Sequence, residues 1–100
     1  MKVIGLIKVL NQKAFETYRS QVGQTVAPYQ GRVIFRGKQK FMPWNELQIN
    51  EFDDYVELDF PNLEAARSWA ASPEYAALLP VRNRAMSLTL FGVEASKQPN

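Results

Sequence analysis

Apolar residues along this chain switch between the two-residue period of a strand and the three-to-four-residue period of a helix. Val3 to Leu10 is dense in β-branched and aliphatic side chains over a strand-like length, and Asn11 behind it suits a turn or a helix cap. Phe15, Tyr18, Val22 and Val26 then recur with mostly polar residues between them, Lys13, Glu16, Arg19 and Gln24. That spacing predicts an amphipathic helix from about Gln12 to Val26, stopped near Pro28. Arg32-Val33-Ile34-Phe35-Arg36, bracketed by Gly31 and Gly37, predicts a second strand. Tyr55 to Phe60 alternates, with Val56, Leu58 and Phe60 on one face and Tyr55, Glu57 and Asp59 on the other, a strand with one dry face.

Lys38 to Asp54 follows neither period. Phe41, Met42 and Trp44 surround Pro43, and Leu47, Ile49 and Phe52 stand among polar residues, so the segment is either a long hairpin extension or an apolar flap. After Pro61, Asn62 is suited to cap a helix whose apolar side is Leu63, Ala66, Trp69 and Ala70. Ser72-Pro73-Glu74 repeats the start signal of cap, proline and first-turn acid, for a piece carrying Tyr75, Leu78 and Leu79 that Pro80 is expected to interrupt. Helix is expected to resume from Val81 to Met86, and Leu88, Leu90 and Val93 suggest a last strand. The order strand, helix, strand, strand, helix, strand is an α+β, ferredoxin-like βαββαβ layout, a four-stranded antiparallel sheet with helices on one face. Residues 1–94 are expected to form this single domain and 95–100 a frayed polar tail.

A sheet covered on one side leaves its other face bare, and a chain of 100 residues has no second core with which to cover it. A homodimer is therefore expected. The 12 basic and 10 acidic residues are interspersed without a basic stripe, which argues against nucleic acid as a partner. No apolar run approaches the roughly 20 residues that cross a bilayer, and no signal peptide is evident, so no membrane partner and a cytoplasmic location are expected. The chain has no cysteine and no histidine. That removes disulfides and thiol catalysis, and it argues against haem, zinc and non-haem iron, so no cofactor and no metal site are expected.

Tyr29-Gln30-Gly31-Arg32, Phe35-Arg36-Gly37 and above all the run from Leu58 to Arg82, LDFPNLEAARSWAASPEYAALLPVR, resemble domain-of-unknown-function family 1330 of the dimeric α+β-barrel superfamily. The chain departs from that pattern at Lys38, where a second glycine is usual, at Asp54, where a basic residue is usual, and at Glu57, where an apolar one is usual. The resemblance implies a dimer whose helix-free sheet faces meet, with small-molecule clefts between sheet and helices. The superfamily includes cofactor-free monooxygenases, isomerases and haem enzymes, so fold alone selects no reaction.

Candidate site residues follow from the predicted faces. Symmetric pairing sets Arg32, Ile34 and Arg36 opposite Asp59, Glu57 and Tyr55 on the helix-free face, as a charged network or as weak, wet ion pairs. Arg82 is the cation on an otherwise apolar helix side, and its partner is either a carboxylate such as Asp59 or Glu94, or a bound anion. Trp69, Tyr18 and Tyr75 either pack the core or line a pocket. Tyr18, Arg36, Asp59, Trp69, Tyr75 and Arg82 are thus the candidate ligand-binding set, with Arg36 or Arg82 orienting an anionic group and Asp59, Tyr18 or Tyr75 handling protons. The expected function is a cofactor-independent enzyme acting on a small anionic organic molecule. The alternative is a non-catalytic dimeric module that binds a metabolite or simply assembles, which the lack of histidine favours.

Overall fold

A computed structural model of the chain describes residues 1–96; of the tail expected at 95–100, residues 97–100 lie outside them. Strand β1 is Lys2–Val9, helix α1 Gln12–Val26, strand β2 Arg32–Lys38, strand β3 Asp54–Asp59, helix α2 Leu63–Ala70, helix α3 Pro73–Ala76, helix α4 Leu79–Ala85 and strand β4 Met86–Val93. A short 3-10 turn, Ala27–Tyr29, extends α1. The strands form one four-stranded antiparallel sheet in the order β2-β3-β1-β4, the ferredoxin-like arrangement expected.

Local chemistry sets the helix starts. Asn11 Oδ1 accepts the Ala14 backbone N–H at 2.9 Å and opens α1, and Asn62 Oδ1 does the same for Ala65 at 2.8 Å and opens α2. Ser72 Oγ accepts the Tyr75 N–H at 3.0 Å, with Pro73 in the first turn of α3. Pro80 does not interrupt a helix, as the sequence suggested; it sits in the first turn of α4, where its missing N–H costs nothing. At the start of β2 the backbone passes so close to the core that a Cβ on Gly31 would lie 2.5 Å from the Phe60 ring. Only glycine fits there.

The helices cover one face of the sheet. Phe15, Tyr18, Val22 and Val26 of α1 and Trp69 of α2 pack against Val3, Ile7 and Leu58, all buried. The opposite face carries no helix among the described residues; residues 47–52 line a pocket there with Leu6, Lys8, Ser87 and Thr89, while Phe35, Phe91 and Val93 are 54%, 45% and 47% exposed. Gln39 to Asp53 is not a hairpin extension. It carries no strand, turns about Asn45, whose side chain accepts from Ile49 N and donates to Ile49 O, and leaves Phe41, Trp44 and Leu47 in solvent. Asp53 ties its end to β1, donating N–H to Ile7 O at 2.7 Å and accepting the Val9 N–H at 2.8 Å.

Register corrects one expectation that matters for chemistry. Arg32 pairs with Asp59 and Val33 with Leu58, but a β-bulge at Ile34 then puts Phe35 opposite Glu57 and Arg36 opposite Val56. Residues directly opposed in a sheet share a face, so Arg36 turns to the helix side with Val56, and Phe35 takes the helix-free position. The expected pairing of Arg36 with Tyr55 does not form.

Candidate functional site

The sheet-facing stripe of α1 brings Tyr18 to the middle of the core, and the capped turn of α3 brings Tyr75 against it. Their hydroxyl oxygens lie 2.8 Å apart and buried. Arg82, on α4, donates from Nη1 to Tyr75 Oη at 3.2 Å, with its guanidinium carbon 5.7 Å from the Tyr75 ring centroid. Tyr75 Oη has a second lone pair for the Tyr18 O–H, and a bond of that sense holds the Tyr18 proton in place, in line with the upward push that Tyr75 gives the Tyr18 hydroxyl.

Burial first, and Tyr75 second, push the Tyr18 hydroxyl far above the ordinary tyrosine range, while Arg82 and Arg36 pull it down. The net direction keeps Tyr18 neutral near pH 7. It is a hydrogen-bond donor, and not the proton acceptor that a catalytic base has to be. Trp69 packs beside this chain, its ring centroid 4.7 Å from that of Tyr75 and 5.5 Å from that of Phe60. Its Nε1 donates to Thr25 Oγ1 at 3.0 Å, and Thr25 donates in turn to Val22 O at 2.7 Å, so the indole is held at both its apolar and its polar end.

A cavity of about 20 Å³ lies between α1 and the sheet, lined by Tyr18, Arg19, Arg36 and Trp69 among aliphatic and aromatic residues of β1, β3, β4 and α1. That volume holds about one water, so an organic ligand has to push side chains apart to occupy it. Beyond Trp69 and Leu90, which line both spaces, an open apolar groove of about 270 Å³ continues between α2 and β4, along Val3, Leu63, Ala66 and Ala70.

Tyr18, Arg36 and Trp69 therefore meet at one cavity, and Tyr75 and Arg82 reach it through the Tyr18 hydroxyl. Asp59 does not join them. It lies on the helix-free face, 3.8 Å from Arg32. Arg82 has neither of its expected carboxylate partners, and among the described residues neither it nor Arg36 forms an ion pair. Desolvation first, and Arg19 second, hold the Arg36 guanidinium below the ordinary arginine range, opposed by Tyr18.

Sequence reasoning passed over Arg19 as a solvated residue between apolar ones. Its position four residues after Phe15 was the available signal, since the guanidinium lies 5.1 Å from the Phe15 ring centroid. Thr25 was also missed, although it is the polar member of the buried α1 stripe. No carboxylate lines the cavity, and among the described residues no group of three or more acidic side chains is placed to hold a metal ion. Nor is any described helix long and apolar enough to cross a membrane.

Several solved structures share this architecture. The chain is similar to RPA0582, a protein of unknown function from Rhodopseudomonas palustris, with TM-score 0.76 and 17% identity over 97% of this chain and 82% of that one. It is similar to At3g17210 from Arabidopsis thaliana, with TM-score 0.73 and 13% identity over 99% and 98% of the two chains. It is also similar to SnoaB, a cofactor-independent oxygenase from Streptomyces nogalater, with TM-score 0.60 and 13% identity over 98% and 96%. At these identities the likeness is one of fold. No curated protein matches the chain in sequence. The assignment comes from the family model described as Domain of unknown function (DUF1330), which matches residues 3–96, and the chain belongs to that family.

Proposed function

We propose that the cleft between helices and sheet binds a small anionic organic molecule, and that the protein acts on it as a cofactor-independent enzyme. The observation that carries this reading is the unbalanced set of groups at one apolar cavity: neutral Tyr18, tied to Tyr75, which Arg82 holds, beside an Arg36 with no acid to answer it. Donors held in place at the mouth of an apolar cavity meet negative charge on a carboxylate or an enolate oxygen without having to reorganise. Arg36 would touch the anion and Tyr18 would turn its proton from Tyr75 towards it, with Arg82 a positioning residue that holds Tyr75. The fold shared with a cofactor-independent oxygenase is compatible with chemistry at such a site. The lack of a carboxylate in the lining favours the second reading, a module that binds without reacting.

The bare sheet face supports a homodimer in the same proposal. Phe35, Phe91 and Val93 are half-exposed there, and a second copy related by a two-fold axis would cover them. A thermal-shift series of aromatic carboxylates, benzoate first, tests the binding reading. The parent is expected to be stabilised by millimolar ligand, and Tyr18→Phe to lose most of that shift while keeping its own transition. Equal shifts in both proteins would overturn the site assignment.

A further inference from the structure

We propose that the cleft is built for a doubly charged head group, a small organic phosphate whose dianion sits between Arg19 and Arg36 while its apolar part enters the cavity beside Tyr18. This rests on the reading of the cleft as an anion site and narrows its ligand. Both arginines line the same cavity, one from α1 and one from β2. Neither has an ion pair among the described residues, and no carboxylate lines the cavity between them. The two cations work against each other, since Arg19 lowers the pKa of Arg36, second only to desolvation.

Like charges held together at an apolar wall cost free energy, and a single carboxylate answers only one of them. A phosphate monoester carries close to two charges near neutral pH and three acceptor oxygens, which match two guanidinium forks. The placement of each arginine has a local cause. Arg19 is held over Phe15 at 5.1 Å, and the bulge at Ile34 turns Arg36 to this side of the sheet. Without that bulge the two would lie on opposite faces. Both side chains are exposed at the cavity mouth, so they have room to move outward when a ring larger than the present volume of about 20 Å³ enters.

Isothermal titration with phenyl phosphate and with benzoate compares the same ring carrying two charges or one. At about pH 7.5 the phosphate is expected to bind at least tenfold more tightly than benzoate, and at about pH 5, below its second pKa near 6, the ratio should fall to about threefold or less. Arg19→Met and Arg36→Met should each abolish the preference, and Arg84→Met, on the exposed side of α4, should keep it. Equal affinity for the two ligands at the higher pH overturns the dianion site and leaves the anion cleft standing. A preference that survives both cavity variants places the phosphate elsewhere and also overturns it. If neither ligand binds, the cleft reading and this inference fall together.

Discussion

On the helix-free face of the sheet Arg32 has Asp59 across the ladder at 3.8 Å, whereas on the helix face Arg36, four residues along the same strand, has no acidic partner among the described residues. Apolar residues show the reverse. Phe15 and Trp69 are buried on the helix face, and Phe35 and Phe91 are left half in solvent on the other. Each face thus lacks one thing that physical chemistry demands. The covered face lacks counter-charge, which the proposed anion would supply, and the bare face lacks a full cover, which the proposed second copy would supply.

The largest expected effect separates the two faces by packing. Trp69→Ala, at a side chain 2% exposed and held by Thr25, should cost about 3–5 kcal/mol in chemical denaturation. Phe91→Ala, on the bare face, should cost about 1 kcal/mol or less in monomer stability. Similar losses at the two sites would remove the distinction between a closed and an open face. A second test addresses the cover. The parent should sediment at twice the 11.4 kDa of one chain, and Phe35→Glu, which puts a charge on the bare face at edge strand β2, should weaken the dimer by about 2 kcal/mol or more and return the monomer mass at micromolar concentration. A parent that sediments as a monomer sinks the homodimer.

A smaller effect sharpens the electrostatics of the covered face. Folded Tyr18 keeps its proton at a pH where unfolded Tyr18, near the ordinary value of 10.0, loses it. The unfolded state therefore binds fewer protons above about pH 10, and stability falls as pH rises through that region. Tyr18→Phe should flatten this alkaline slope by up to about 1.4 kcal/mol per pH unit. An unchanged slope would show that the hydroxyl is not buried as the cleft requires.

Much of this was legible in the sequence. Asn11, Asn62 and Ser72 announced their helices because short polar side chains satisfy orphan N–H groups in the first turn, and Val56 and Leu58 announced a strand with one dry face. The spacing of Tyr18 on α1 and the cap before Tyr75 were enough to place both over the sheet. Arg36 was not legible in the same way. Its face depends on one extra residue in a strand, and a bulge leaves no trace in a period-two pattern as short as Arg32 to Lys38. Asp59 stands on the helix-free face that the alternation of β3 assigned to it, and its neighbour across the ladder, Arg32, accounts for its charge without a ligand. The flap from Gln39 to Asp53 stayed ambiguous because its apolar residues have no period, and the structure leaves most of them in solvent.

The two arginines of β2 provide the most direct test of the central claim, that an uncompensated cation beside Tyr18 marks an anion site. Benzoate affinity should fall at least about tenfold in Arg36→Met, the loss of roughly one charge-assisted hydrogen bond, and should stay within about twofold of the parent in Arg32→Met. Equal affinity of the two variants for benzoate would contradict it.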